Sequence, residues 1–460
     1  MSAVTGMRLL VAGLGRSGVA AARAALDGGA DVLLHDDAPD VVAQRVEALS
    51  QDGAVEVRDL GDLFAHRPPD VVVASPGLSP QTSVLTRARQ AGVDVWSEPE
   101  LAWRLLDGRT RVVAVTGTNG KTTTTELLAA CLDVPAAGNI GRPLSELVAA
   151  PPPLVAAELS SFQLHYTSAF RADVGVVLNV ADDHLDWHGD PAAYAAAKAR
   201  VWSNQRTTAA PGLSARDWAV TNAEDPGCLR LVADHPPPAG RLTFGLGAPA
   251  PGGVGVLDGA LTERITTDQP TPVVGITALG VHGPHNMANA AAAVAAAIGV
   301  GVPPAALAEP LASAHVGAHR LEVVAEHDAV RWVDDSKATN PHAAAAALRS
   351  FDTIIWIAGG LNKGLSFAPL AGEIAGRVRL ALTIGTAGPE IAELARANGV
   401  ETIEAEQLDR AVAIARDRAR PGDVVLLAPA CASMDQFTDY AERGDRFRAL
   451  VTRPDDVQVR

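Results

Sequence analysis

The sequence predicts an α/β protein of three domains, with a Rossmann-like unit at each end and a phosphate-loop, ATPase-like unit on a parallel sheet between them. Three observations carry this. Short β-branched runs alternate with Ala- and Leu-rich amphipathic runs, the pattern of parallel sheets with crossover helices. Two such strands run into Gly-rich loops that open helices, at Gly13-Leu14-Gly15-Arg16-Ser17-Gly18 and at Gly117-Thr118-Asn119-Gly120-Lys121-Thr122. The chain has 460 residues, and domains of roughly 150 residues give about three. Boundaries are expected at 1–99, 100–316 and 317–460, the first at Ser97-Glu98-Pro99 and the second around Val316.

Apolar residues make up 48 % and charged residues 20 %, the balance of a chain with real cores. Against 53 acidic residues stand 38 basic ones, a net charge of −15. That argues against nucleic acid or an anionic membrane as partner. An anionic ligand must then be held by a few local cations and backbone dipoles. Cys131, Cys228 and Cys431 are too few and too scattered for a disulfide framework or a zinc site, and are expected to be buried and inert. No apolar run approaches a membrane span of about 18 residues. The run beginning at Leu9 is short and broken by Gly13, unlike a leader. A monomeric cytoplasmic enzyme is expected.

The first unit opens with a strand, Arg8 to Ala12, then the first Gly-rich loop and an Ala-rich helix to about Leu26. A second strand, Asp31 to Leu34, ends at His35-Asp36-Asp37. This is G-x-G-x-x-G with an acid about 20 positions on. It leaves open a nicotinamide cofactor, another ligand with a diphosphate and a ribose, or a structural turn. Further strands are expected at Asp70 to Ala74 and Val93 to Trp96.

In the central unit, Val112 to Val115 reads as a buried strand and Thr122 to Leu132 as a helix. Strand, Gly-rich loop and helix make a phosphate cradle: backbone N–H groups and a helix N-terminus face the anion. Lys121 adds a point charge at the β- and γ-phosphates, and the Thr122 hydroxyl can bind Mg²⁺. Val115 stands where the general motif has its first glycine, so this loop is shorter at its start. Asn139 lies in a Gly-bracketed loop. Glu158 ends the strand Leu154 to Leu159 and is followed by Ser160. A carboxylate at the end of a neighbouring strand is where a nucleotide enzyme keeps a Mg²⁺-binding acid. Val174 to Val180 runs into Ala181-Asp182-Asp183-His184-Leu185-Asp186-Trp187-His188, whose two histidines and three aspartates resemble a metal-binding or proton-transfer loop. Asp190-Pro191 start a helix on which Tyr194, Lys198 and Trp202 share a face at i, i+4, i+8. His282 to Asn289 precedes an Ala-rich helix ending near Gly299. Asn286 and Asn289 share one helical face, and their amides suit the edge of adenine.

The third unit runs through His319-Arg320 and a hairpin into Trp332 to Asn340. Strands at 353–358, 380–385 and 423–428 alternate with helices in a second doubly wound sheet. Loops 359–364 and 429–437 follow strands, at the carboxyl ends where functional loops belong.

Taken together, these stretches resemble the Mur ligase family of peptidoglycan precursor synthesis over nearly the whole chain. TGTNGKTT (116–123) is similar to the family's shortened phosphate loop. ELSSFQL (158–164), NVADDHLDWHG (179–189), Lys198, HNMAN (285–289) and HR (319–320) follow the family's spacing. DDSKATN (334–340), GGLNKG (359–364) and SMDQF (433–437) look like the loops of the branch that adds D-glutamate.

The resemblance implies an ATP-dependent ligase that joins D-glutamate to UDP-N-acetylmuramoyl-L-alanine through an acyl phosphate, with two Mg²⁺ ions. It implies that Gly117, Thr118, Asn119, Gly120, Lys121, Thr122 and Thr123 cradle ATP, that Asn286 and Asn289 meet adenine, and that Arg320 meets the γ-phosphate and Asp335 the ribose. Thr122 and Glu158 would hold one Mg²⁺, and His184 and a carbamylated Lys198 the second. Catalysis would rest on Lys121, Glu158, His184 and Lys198, with His184 also a candidate base. The UDP-sugar would lie against Leu14, Gly15, Arg16, Ser17, Asp36 and Asp37, with Asn139, Ser160 and His184 near its muramoyl part. D-Glutamate would meet Lys337, Thr339, Lys363, Ser433 and Tyr440, the last standing where some relatives carry Phe. Three other readings compete. A sister ligase, or a folylpolyglutamate synthetase-like protein, would differ only in the third unit's loops. A nicotinamide-dependent oxidoreductase on residues 8–37 leaves the phosphate loop unexplained. A non-catalytic scaffold predicts lost Mg²⁺ ligands.

Overall fold

The computed structural model describes residues 2–207, 217–281, 283–314 and 317–452. His282 and residue 316, the expected second boundary, lie outside them. The strands fall into three sheets. The first has the order Val55–Glu56, Asp31–His35, Arg8–Ala12, Val71–Ala74, Asp94–Ser97, all parallel. Alternate residues feed two cores: Leu9, Val11, Val32, Leu34, Val71 and Val73 on one face, and Leu10, Ala12, Leu33, Val72 and Ala74 on the other. Burial on both faces is why these strands read as unbroken apolar runs.

The second sheet has nine strands, and its central part runs Trp218–Asn222, Val174–Val177, Arg111–Thr116, Leu154–Glu158, Ala136–Gly138, all parallel. Beyond Trp218–Asn222 come Gly240–Phe244 and Gly253–Leu257, and then Ala260–Glu263 and Thr271–Gly275 pair antiparallel. The expected parallel sheet thus carries an antiparallel edge. Its hairpin turns on Asp258-Gly259, both at positive φ, the two-residue turn that matches strand twist.

The third sheet has the order Glu322–His327, Val330–Asp334, Val424–Leu427, Ile354–Gly359, Val378–Ile384, Glu401–Glu406. Only the first pair is antiparallel, which is the expected hairpin. Ile354, Trp356, Val424 and Leu426 face one core, while Ile355, Ile357, Val425 and Leu427 face the other.

By contacts the chain forms two compact units: Met1–Val180 with Trp187–Gly280 and Met287–Ala314, and Ala181–Asp186 with Val281–Asn286 and His315–Arg460. Ser97 caps the helix Glu98–Leu106 directly after a strand. The helix Pro284–Val300 begins just before the HNMAN stretch rather than after it, so Asn286 and Asn289 lie in its first turns. All three cysteines are free and buried, as expected, and burial pushes the Cys131 and Cys431 thiols up to about 12. Among the described residues no helix is long and apolar enough to cross a membrane.

Candidate active site

Strand Arg111–Thr116 delivers the chain to Gly117, and helix Lys121–Leu132 carries it away. Asn179 pins the loop between them. Its side-chain oxygen accepts from the Asn119 N–H at 2.8 Å, and its amide donates to the Asn119 carbonyl at 3.1 Å. Its own carbonyl accepts from the Thr118 N–H at 3.0 Å. Gly120 has φ +83°, and a Cβ there would lie 2.3 Å from Asn289 Oδ1, so this turn and its close approach both require glycine. Lys121 folds back, Nζ donating to the Gly117 and Thr118 carbonyls at 2.9 Å each. Thr122 and Thr123 fill the first turn of the helix, whose N-terminal dipole favours an anion.

Glu158 pairs with Val115 across the adjacent strand, which sets it beside the loop. It is 2 % exposed. Oε1 accepts from Asn139 Nδ2 at 2.7 Å, while Oε2 has no hydrogen-bond partner among the described residues. A buried carboxylate oxygen without a donor is costly unless a cation meets it. Mg²⁺ takes hydroxyl and carboxylate oxygens, so Thr122 and Glu158 fit that ion.

Lys198 is 1 % exposed, and its Nζ donates to the Gly117 carbonyl at 2.8 Å. It lies 4.3 Å from the Tyr194 ring centroid, and the Tyr194 hydroxyl reaches Thr118 Oγ1 at 3.1 Å. Tyr194 and Lys198 share a face, as their spacing suggested, and both address the phosphate loop. Trp202 does not share that face: the helix ends at Ala199, and Trp202 is buried in the next turn, its indole N–H donating to the His235 carbonyl.

The loop 181–188 divides its histidines. His184, at φ +53°, sets Nε2 3.6 Å from Asp183 and donates its backbone N–H to Asp183 Oδ1 at 3.0 Å. His188 instead meets the Ser161 hydroxyl at 3.0 Å and stacks on Phe162. Among the described residues, the one cluster of three potential His, Cys or carboxylate ligands is His319, Glu322 and Asp334, so loop 181–188 alone assembles no metal site. Its members are already paired, His319 Nδ1 with Asp334 at 2.6 Å and Glu322 with Arg448, outside the cluster, at 2.6 Å.

In the N-terminal loop, Asp36 uses both oxygens on backbone: Oδ2 accepts from Leu14 N–H at 2.7 Å and Oδ1 from Ala38 N–H at 2.9 Å. The Leu14 side chain is buried, so only its backbone faces the loop. Gly15 caps the helix Arg16–Asp27, whose first residues, Arg16 and Ser17, stand at least partly exposed. Asp37 lies 3.3 Å from His35 Nε2. The Ser160 side chain is taken by a capping box with Gln163 at the start of helix Ser161–His165.

In the second unit, Asp335 Oδ1 accepts from the Leu321 N–H at 3.1 Å. Burial pushes its carboxyl up to about 7, against the pull of that bond and of Arg320. Asn286 is buried, and burial with the nearby Arg349 and Arg320 lowers its neighbour His285 to about 4. Lys337 Nζ donates to the Tyr440 hydroxyl at 2.6 Å and sits 4.0 Å from its ring centroid. Thr339 lies in the same turn, its N–H donating to the Lys337 carbonyl. Ser433 is buried, and Lys363 is exposed on the loop after strand Ile354–Gly359.

Sequence reasoning missed the group that joins these loops. Arg443, 1 % exposed, donates to Ser336 Oγ at 3.0 Å, to the Ser336 carbonyl at 2.9 Å and to the Cys431 carbonyl at 3.1 Å. Burial pushes its guanidinium down to about 10. Its one sequence signal is a place three residues after Tyr440 on helix Tyr440–Val451.

A pinned phosphate loop with a buried acid and a buried lysine beside it defines an ATP-using α/β enzyme. The chain matches the Mur ligase middle domain over residues 115–297 and the Mur ligase, glutamate ligase domain over 319–431. The UDP-N-acetylmuramoylalanine–D-glutamate ligase of Frankia casuarinae is 48 % identical over 97 % of this chain and 94 % of that protein. The enzyme of that name from Streptomyces coelicolor is 42 % identical over 98 % of each. Among solved structures, the UDP-N-acetylmuramate-alanine ligase MurC of Thermotoga maritima aligns with a TM-score of 0.56 at 19 % identity, over 96 % of this chain and 98 % of that one. MurF of Acinetobacter baumannii aligns with a TM-score of 0.57 at 20 % identity, over 92 % and 90 %. The chain belongs to the Mur ligase family, in the group of UDP-N-acetylmuramoylalanine–D-glutamate ligases.

Proposed function

We propose that the chain joins D-glutamate to UDP-N-acetylmuramoyl-L-alanine at the expense of ATP, in the cytoplasmic assembly of peptidoglycan precursors. The observation that carries the site assignment is the convergence of Lys121 and Lys198 on the Gly117 carbonyl, with an unpartnered oxygen of Glu158 beside the same loop.

The alanyl carboxylate attacks the γ-phosphorus, an O–P bond forms, and the bond to ADP breaks. The D-glutamate amine then attacks the acyl carbon, gives up a proton, and inorganic phosphate leaves. A free carboxylate is a poor acylating agent, and phosphorylation supplies its leaving group. The loop amides 117–123 and Lys121 stabilise the charge on the transferring phosphoryl group. Thr122 and Glu158 would hold one Mg²⁺, with His184 and Lys198 serving a second; bound there, the ions offset repulsion between the carboxylate and ATP. A carbamate on Lys198 would turn a buried cation into an anionic oxygen ligand. Asn286 and Asn289 are assigned to adenine, Arg320 to the γ-phosphate and Asp335 to the ribose. Lys337, Thr339, Lys363, Ser433 and Tyr440 are assigned to D-glutamate. Leu14, Gly15, Arg16, Ser17, Asp36 and Asp37 are assigned to the UDP end, with Asn139, Ser160 and His184 toward the muramoyl part. Domain boundaries at 99 and 316 accompany this reading.

Product accounting tests the chemistry. One ADP and one phosphate for each D-glutamate incorporated is the expected balance. AMP and pyrophosphate would point to an acyl adenylate and overturn the acyl-phosphate route.

A further inference from the structure

The carboxyl ends of strands Val378–Ile384 and Glu401–Glu406 enclose a cavity of about 320 Å³ that the ligase reading does not use. Thr383, Thr386, Glu404, Glu406, Asp435 and Gln436 line it. Two of these groups are unsatisfied. Thr383 is 1 % exposed, yet its hydroxyl has no hydrogen-bond partner among the described residues. It stands 3.6 Å from where a Cβ on Gly388, another wall residue, would lie. Asp435 Oδ2 accepts from the Thr386 N–H at 2.9 Å, which orients the carboxylate, while the buried Oδ1 has no hydrogen-bond partner among the described residues. Gly385, at φ +67°, makes this possible, since a Cβ there would lie 2.4 Å from Asp435 Oδ2.

A buried hydroxyl and a buried carboxylate oxygen, both unpaired, are costly unless a ligand donates to them. The charge around them selects that ligand. Glu404 and Glu406 add two carboxylates to the wall, but each has an arginine beside it, Arg396 at 2.7 Å and Arg410 at 4.0 Å, so the Asp435 carboxylate is the charge that selects the ligand. The N-terminus of helix Gly388–Ala397 offers little to an anion: residue 389 is proline, and the Ala387 and Gly388 N–H groups bond to the Gly360 and Gly385 carbonyls. A carboxylate ligand is repelled by Asp435. A divalent cation is unsuited, because among the described residues no three of these carboxylate groups converge as metal ligands do. We propose that this cavity binds a small organic cation with a primary amine, whose N–H groups donate to Asp435 Oδ1 and Thr383 Oγ1.

The bound amine reports to the loop that carries it. Asp435 and Gln436 lie in the loop after Ser433, and the Gln436 and Phe437 N–H groups both bond to the Ser433 carbonyl. The site itself does not depend on the ligase assignment, so binding is measured directly.

The probe is 1,4-diaminobutane, titrated calorimetrically into the full chain, with MgCl₂ and sodium acetate as controls. Saturable binding of the diamine alone is expected. Thr383→Val, close in shape, should weaken it about tenfold, the loss of one hydrogen bond to a charged group. Glu404→Gln, on a side chain 42 % exposed that pairs with Arg396 at 2.7 Å, should weaken it by a smaller, salt-dependent factor, because Arg396 already offsets part of that charge. No heat of binding at tens of millimolar diamine, equal binding of Mg²⁺, or unchanged affinity in both variants would overturn the proposal.

Discussion

Lys198 Nζ lies 2.8 Å from the carbonyl oxygen of Gly117, the first residue of the phosphate loop. A buried lysine contacting the loop that receives ATP is the least ordinary feature of the site. Lysine is rarely buried unless its charge is met or changed.

Lys198→Ala should therefore remove nearly all turnover, and short carboxylic acids such as acetate should restore part of it by supplying the missing oxygens. Steady-state rates with and without added acid check this. An active variant indifferent to the acid would remove the carbamate role.

Lys121→Ala should lower kcat by about 10²–10³-fold or more, the usual effect of removing one transition-state donor. Far-ultraviolet circular dichroism should be unchanged, since Lys121 is only partly buried and makes its bonds to loop carbonyls. A wild-type kcat would sink the loop assignment.

Glu158→Gln leaves an amide that can still meet Asn139 but removes the charge behind the unpartnered oxygen. The Mg²⁺ concentration for half-maximal rate should rise about ten- to a hundredfold. A Mg²⁺ dependence that does not move would place the ion elsewhere.

The phosphate loop was legible because its chemistry is local: a β-branched strand, glycines, Lys-Thr and a helix are contiguous. Its supports were not. Asn179 holds the loop from 60 residues away and Tyr194 from 76, and no spacing rule links them to it. The first parallel sheet was readable from strands alternating with helices, and its unbroken apolar strands are buried on both faces. The antiparallel edge of the second sheet was missed, although Asp258-Gly259 is a hairpin signal, because the Pro/Gly-rich segments beside it obscured the strands. Ser160 illustrates a different limit. A serine before a helix with Gln three residues on reads equally as a cap or a ligand, and in the fold its hydroxyl caps. Arg443 was invisible because an arginine in an amphipathic helix is ordinarily solvated, and only tertiary packing buries it among carbonyls.

Stability should depend on pH through Glu98, which is 1 % exposed and accepts from the Ser145 N–H and hydroxyl. Burial pushes its carboxyl up to about 7, against those bonds. Between about 4.5 and about 7 the folded chain keeps a proton that the unfolded chain has lost. Stability from this group therefore falls as pH rises through that window, by at most about 3 kcal/mol. Denaturant midpoints for the wild type and Glu98→Gln should converge at low pH and separate toward pH 7.5, with the variant flatter. Parallel profiles would contradict the burial argument.

Lys363→Ala should raise KM for D-glutamate more than KM for ATP, because Lys363 stands exposed on a loop of the third sheet, away from the phosphate loop in sequence. The reverse order would misplace the amino-acid pocket.

The most direct test of the central claim is phosphate release with ATP, Mg²⁺ and UDP-N-acetylmuramoyl-L-alanine, comparing D-glutamate with L-glutamate, L-lysine and no amino acid. Release that depends on D-glutamate is the predicted result. Release with a different amino acid would contradict the assignment of the third sheet's loops, and none with any of them, from a folded protein that binds ATP, would contradict the ligase reading itself.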